Sequence, residues 1–387
     1  METAFDEIAQ FATTADRDTR RSLIASLRKL ANSLEDTVGT IHRYGHIDLE
    51  KAMIQIGMDL GIFKVLTGTD GPLTVEEVAQ RTNVDPQLMR RFLRYYNTIN
   101  VVTEVSAGRF EGNNITKNLT EKVLEAALHH YYELVSGQYR TMRSYLKANG
   151  YQNPTDETHT AFHEAFNTHV HPFQWMTEHP HLLDHFNTYM ALRRQADLSW
   201  LTVYPVREET AGGGMTADRA LYVNVGGGIG HQCAEFRETY PDIPGRVILQ
   251  DLPATIERRA LQTAGVENIA HDFFEPQPVK GAKFYYMRGV PHNHPPHRVK
   301  QLFANIRDAM AADSVLLVDE TVLPSTGVGF IAASIDLTML GAFASMERTE
   351  SDWRELVESV GLELVRSYTY NASDNETVMD IRLPKSS

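Results

Sequence analysis

The residues best suited to chemistry begin with a glycine turn, Val223-Asn224-Val225-Gly226-Gly227-Gly228-Ile229-Gly230. A dinucleotide turn wants glycine at its first, third and sixth places, counted here from Gly226, and the sixth is His231. Glycine at the first, third and fifth places suits a chain passing beneath the methionine part of S-adenosylmethionine (SAM), where a side chain would block the approach. The next apolar run ends in Gln250-Asp251-Leu252-Pro253. An acid there is placed to accept both ribose hydroxyls. The following run ends in His271-Asp272-Phe273-Phe274, where the acid can accept from an adenine amino group and the aromatic can cover the ring. Arg288, after the run Lys283–Met287, completes a cofactor set of Gly226, Gly227, Gly228, Asp251, Leu252, Asp272, Phe273 and Arg288.

These stretches need strands to carry them. From residue 221, strands and helices alternate. Strands are predicted at Leu221–Val225, Arg246–Gln250, Lys283–Met287 and Val315–Asp319, helices to Tyr240, after Pro253 and at about 298–311, and a closing pair at Leu362–Tyr370 and Thr377–Leu383. Such alternation predicts an α/β fold with a mainly parallel sheet, its ligand at the carboxyl ends of the strands. Ala211-Gly212-Gly213-Gly214 lacks a preceding strand and reads as a linker.

Ahead of this half, residues 5–66 look helical throughout, with Leu23, Leu27 and Leu30 on one face and Met53, Ile56 and Leu60 on another. A second subunit is a reasonable partner for so long a helical segment. Residues 72–118 have a winged-helix pattern: a Thr74-capped helix with Glu77 three residues on, a helix from Pro86 to Ile99, and a hairpin of Val101–Val105 with Arg109–Glu111. Residues 119–200 are helical and rich in His129, His130, Tyr131, Tyr132, His159, Phe162, His163, Phe166, Phe173 and Trp175. Core packing and a pocket lining are both open there, because these side chains bring many polar tips. The expected division is 1–118, a helical dimerisation and winged-helix domain; 119–205, a substrate-pocket segment; and 206–387, a SAM-binding Rossmann-like domain.

Composition narrows the partners. The chain has 387 residues, 42% hydrophobic and 22% charged, with a formal net charge of −13. That is an ordinary composition for a folded protein with a sizeable core. An acidic surface disfavours nucleic acid and anionic lipid, so the winged helix reads as a packing module rather than a DNA reader. The single cysteine, Cys233, forms no internal disulfide and reads as a small apolar helix residue. The acidic start Met-Glu-Thr-Ala-Phe-Asp-Glu and the lack of a run of ~18 apolar residues point to a cytoplasmic protein with no membrane association.

With these stretches in place, the chain resembles the fungal members of the caffeic-acid-type O-methyltransferases over nearly its whole length. Asp59-Leu60-Gly61-Ile62-Phe63, Arg91-Phe92-Leu93-Arg94-Tyr95, the glycine turn, the Asp251 strand, Asp272-Phe273, Asn305–Met310 and Glu347-Arg348-Thr349-Glu350 carry the likeness. The resemblance implies a class I SAM-methyltransferase Rossmann-like domain with an N-terminal all-helical and winged-helix dimerisation domain, a homodimer, and SAM as cofactor. Asn224 departs from the family's usual Asp. The family's His-Asp-Trp segment reads Pro291-His292-Asn293-His294 here. By resemblance His292 is the general base for the substrate hydroxyl, with Glu320 at the fifth strand end and Glu347 orienting it. A histidine bonded to carboxylates is held in one tautomer and made more basic.

Within the family, the chain is most similar to the SAM-dependent pericyclases of fungal 2-pyridone alkaloid pathways. Ala161–Thr168, Pro244–Pro253 and Pro276–Tyr285 carry that likeness. Those enzymes bind SAM without spending its methyl group, dehydrate a pyridone alcohol to a quinone methide and steer its cyclisation by hetero-Diels-Alder or Alder-ene routes. The resemblance implies His130 as their pocket histidine and Arg193 or Arg194 as a charged donor. His292 and Asn293 stand where that branch has Arg and Asp.

Three readings follow. The altered motif around His292 favours a pericyclase and dehydratase on a polyketide or pyridone alkaloid intermediate. The retained His292, Glu320 and Glu347 favour an O-methyltransferase acting on a phenolic, pyridone or polyketide hydroxyl. A winged-helix regulator that senses SAM is the third, and the acidic charge opposes it. No metal is expected.

Overall fold

The computed structural model describes residues 2–192, 199–212 and 214–385. The chain divides into two compact units, Met1–Tyr132 and Glu133–Ser387.

The first unit opens with the helices Glu2–Thr14, Arg17–Ser33, Thr37–Gly45, Ile47–Asp59 and Ile62–Thr67. Helices Arg17–Ser33 and Thr37–Gly45 bury no residue. Their Asp16 and Asp36 caps define where they start. Phe5, Phe11, Leu34, Val38, Ile41 and Tyr44 are each more than half exposed. The winged-helix expectation holds. Strand β1 (Leu73–Thr74) leads into the helix Val75–Thr82, whose Thr74–Glu77 capping box is formed. The helix Pro86–Thr98 follows. Strands β2 (Val102–Ser106) and β3 (Arg109–Gly112) form the hairpin, and the sheet order is β1-β3-β2. Ile62, Phe63, Val78, Leu93, Tyr96 and Phe110 make its core. The helix Lys122–His129 then gives way to a π-turn at His130–Val135.

In the second unit, helices Ser136–Ala148, Ala161–Phe166, Pro172–Thr177 and Pro180–Leu192 precede the sheet. Much of the aromatic stretch is packing. Phe162, Leu134, Met176 and Leu182 form a buried cluster, with Phe166, Trp175 and Phe186 against it. Rings that bury large apolar areas near one another outweigh the cost of their few polar tips. Arg193 and Arg194 lie outside the described residues, as does Gly213 of the expected linker.

The sheet contains β4 (Ala220–Val225), β5 (Arg246–Asp251), β6 (Val266–Ala270), β7 (Phe284–Arg288), β8 (Val315–Leu323), the two-residue β9 (Arg348–Thr349), β10 (Glu363–Asn371) and β11 (Glu376–Arg382). Its order is β10-β11-β8-β7-β4-β5-β6, with β9 beside β8. Strands β4 to β8 pair in parallel, and β11 pairs antiparallel with β8 and β10. Every residue of β4 is buried, as expected of a strand covered on both faces. The chain leaves β4 for β5 on one side and returns to β7 on the other, which opens a crevice at the strand ends.

One strand is longer than its expected end at Asp319. β8 runs on to Leu323, because β11 pairs with it as far as Thr321 and β9 pairs with Val322 and Leu323. Glu320 therefore lies within a strand, opposite Thr377. The helix Phe330–Phe343 had no sequence expectation. It is mostly apolar, and its polar residues Ser334, Asp336 and Thr338 do not gather on one face, so it shows no amphipathic period to read. Cys233 is buried on the helix His231–Thr239, as expected.

Candidate active site

The glycine turn follows directly on β4. Gly226, Gly228 and Gly230 adopt φ of 67°, 62° and 97°, which side chains disfavour. A Cβ at Gly227 would lie 2.6 Å from Asn224 Cγ and from Leu249 Cδ1, whereas one at Gly228 would meet nothing within 4 Å. The turn is thus tight beneath and open above. Asn224, 1% exposed, supports it from below.

Asp251 closes β5 under this turn. Its Oδ2 accepts from the Gly228 N–H at 2.8 Å, and its Oδ1 accepts from the Leu252 N–H at 2.8 Å. Burial raises its pKa, against the pull of those N–H groups. Each oxygen keeps a second lone pair for a ligand hydroxyl. Asp272 caps its own loop by accepting from the Phe274 N–H at 2.9 Å. The ring of Phe273 reaches the turn, with Cε1 3.4 Å from where a Gly226 Cβ would stand. These residues fit a SAM-sized ligand: an open glycine shelf, a carboxylate with spare acceptors and an aromatic edge, all at the carboxyl ends of β4, β5 and β6.

Arg288, placed with them by sequence, is engaged elsewhere. Its Nε lies 3.4 Å from Asp319 Oδ2 and its Nη2 donates to Glu376 Oε1 at 3.2 Å. Tyr286 and Tyr370 also donate to Asp319, at 2.6 and 2.9 Å. Burial raises the Asp319 pKa, while the Arg288 guanidinium and the two hydroxyls pull it back.

Next to this cofactor shelf, the turn Pro291–Asn293 presents His292. Pro291 occupies a first-turn position where its missing N–H costs nothing. His292 Nδ1 lies 2.7 Å from Glu347 Oε1 and 3.9 Å from Glu320 Oε2. Glu320 Oε1 instead accepts the His292 backbone N–H at 3.1 Å. The side chains of Glu320 and Glu347 are 2% and 1% exposed, against 18% for His292. Burial, with Glu347 adding to it, pushes Glu320 up to about 7, opposed by His292. Glu347 is anchored through its own N–H, donated to Asp336 at 2.8 Å. Thus His292, Glu320 and Glu347 come together as expected.

The two departures from the family motif have structural roles. Asn293 Nδ2 donates to the Gly289 carbonyl at 2.8 Å. His294 Nδ1 lies 3.4 Å from Glu157 Oε2, and its ring meets Phe273 and Phe274 edge to face. Sequence reasoning passed over Glu157, Asp336 and Arg348. Arg348 stands beside Glu347 in the segment Glu347-Arg348-Thr349-Glu350, but no local pattern marks it for burial. His130 lies at the start of the π-turn in the first unit, its ring 5.7 Å from that of Tyr131. Such turns are frequent at functional sites.

A parallel-sheet fold, a glycine shelf with Asp251, and a histidine on two buried carboxylates define a class I methyltransferase-type enzyme. Residues 156–363 match the O-methyltransferase domain and residues 49–122 the O-methyltransferase dimerisation domain. The chain belongs to the O-methyltransferase family, and its cofactor is SAM. It is 37% identical to the O-methyltransferase ucdC of Aspergillus ustus, over 97% of both chains. Among solved structures it is similar to LepI in complex with SAM, at 33% identity and a TM-score of 0.90, covering 99% of this chain and 98% of that one. It is equally similar to a structure described as a pericyclic reaction enzyme, at 33% identity and a TM-score of 0.89, covering 99% of both chains. No helix among the described residues is long and apolar enough to cross a membrane.

Proposed function

We propose that this chain is a SAM-dependent O-methyltransferase acting on a phenolic, pyridone or polyketide hydroxyl, with His292 as general base. The observation that carries this is the 2.7 Å contact between His292 Nδ1 and Glu347 Oε1. It leaves Nε2 as the basic nitrogen of the neutral ring. The chemistry the cofactor supplies when bound is an electrophilic methyl group on a sulfonium. Gly226, Gly227 and Gly228 would pass beneath the cofactor, Asp251 with Leu252 beside it would accept the ribose hydroxyls, and Asp272 with Phe273 would take the adenine. Arg288 fixes the end of β7 through Asp319 and Glu376. His292 Nε2 removes the acceptor proton, and the imidazolium that forms is stabilised by Glu347, with Glu320 holding the backbone of the turn. The protein works as a homodimer through its dimerisation domain.

A second reading is favoured by the likeness to the pericyclic reaction enzyme and by the π-turn at His130. Here SAM is retained. In a 2-pyridone alcohol, His130 takes the proton of the pyridone hydroxyl while the departing hydroxyl accepts a proton from a donor and leaves as water, which gives the quinone methide, and a charged donor such as Arg194 steers its hetero-Diels-Alder or Alder-ene closure. Mass analysis after incubation with SAM and a panel of phenols and pyridone alcohols separates the two. A gained methyl group with S-adenosylhomocysteine released supports the first. Loss of water with SAM intact supports the second and overturns the first.

A further inference from the structure

The guanidinium of Arg348 is buried, and its hydrogen bonds among the described residues go to backbone carbonyls. The residue is 1% exposed. Its Nη2 donates to the His294 carbonyl at 3.0 Å, and its Nη1 lies 3.4 Å from the Pro291 carbonyl and 3.3 Å from that of Met346. Its carbon lies 5.0 Å from the Trp353 ring, itself fully buried. None of these partners is charged. A buried cation is costly unless its surroundings compensate it, and a core position of this size could hold an apolar side chain instead.

The carbonyls it binds explain its presence. Pro291 and His294 bracket His292, so one planar fork grips the chain on both sides of the ring. The same turn is held further by Glu320, which accepts the His292 N–H, and by Asn293 Nδ2, which donates to the Gly289 carbonyl. The charge has a counterpart too. Burial lowers the pKa of the guanidinium, and Glu320, Glu347, Asp352 and Asp336 all act electrostatically against that. Two carboxylates beside one imidazole repel each other, and a cation on the next residue offsets that.

We propose that Arg348 is a positioning residue for His292: it clamps the Pro291–His294 turn by its carbonyls and supplies the positive charge that lets Glu320 and Glu347 share one imidazole. This rests on the reading of His292 as the base. Only arginine spans two carbonyls in one plane; lysine keeps the charge and loses the fork.

The test uses full-length protein loaded with S-adenosylhomocysteine and labelled with 15N-histidine, with the His292 signals assigned by their loss in His292→Gln. In the wild type the proton is expected on Nδ1, facing Glu347. In Arg348→Met the ratio of the Nδ1–H to the Nε2–H form should fall about tenfold, the size expected for losing one hydrogen bond to a charged group, while the affinity for S-adenosylhomocysteine stays unchanged. A folded Arg348→Met protein with the wild-type ratio overturns the proposal. If that variant does not fold, Arg348→Lys decides, where a fall in the ratio supports the proposal and a wild-type ratio overturns it. No substrate enters this measurement, so its failure is distinct from a failure to find methyl transfer.

Discussion

His292 Nδ1 and Glu347 Oε1 are 2.7 Å apart in a pocket where only 1% of the Glu347 side chain is exposed. A carboxylate so placed favours the charged imidazole, so it sets both the ring's tautomer and its basicity. Glu347→Gln should lower kcat by roughly 10²-fold, near the low end for general-base contributions. It should also move the acid limb of the kcat/KM profile to lower pH. A profile that keeps its wild-type position would separate Glu347 from the base.

Glu320 predicts a pH effect on stability. Burial raises its pKa from 4.5 to about 7. A raised carboxyl contributes fully at pH below 4.5, and that contribution is lost as pH rises through about 7. Glu320→Gln keeps an oxygen to accept the His292 N–H but carries no charge. Its melting temperature should match the wild type near pH 5 and exceed it near pH 8. Melting curves with the opposite trend would show that Glu320 is held as a compensated carboxylate.

Asp251 predicts cofactor affinity. Its oxygens order Gly228 and Leu252 and have lone pairs to spare for two hydroxyls. Asp251→Ala removes two charge-assisted hydrogen bonds worth ~1.5–3 kcal/mol each. SAM binding by calorimetry should weaken by at least about tenfold, even after partial compensation by water. Equal affinity for wild type and variant would remove Asp251 from the cofactor site.

How far the sequence reached follows from which forces are local. The Thr74 capping box, the buried β4 strand and the glycine turn are written in neighbouring residues, and each was legible. His292, Glu320 and Glu347 were legible only through family resemblance, since the contacts joining them span 28 and 55 residues. The extra length of β8 depends on β11 and β9, which arrive later in the chain. Arg348 was missed because nothing near it in sequence says that it will be buried. The aromatic stretch offered two readings, and ring packing around Phe162 decided much of it for the core.

The N-terminal helices predict assembly. Arg17–Ser33 and Thr37–Gly45 have no fully buried residue, and Leu34, Ile41 and Tyr44 are 78%, 61% and 62% exposed. Exposed apolar side chains in such number call for a covering partner. Removing residues 1–45 should convert the homodimer into monomers or aggregates in light scattering. A well-behaved truncated dimer would place the interface elsewhere.

The central claim is that His292 is the base for methyl transfer. The direct measurement is label transfer from methyl-labelled SAM to a phenolic acceptor that the wild type turns over, compared among wild type, His292→Gln and His130→Ala. The account predicts that His292→Gln loses ~10²–10⁴-fold in kcat with SAM affinity unchanged, and that His130→Ala affects mainly KM. Full activity in His292→Gln, with His130→Ala inactive, would contradict it and point to the first-unit histidine as the working base.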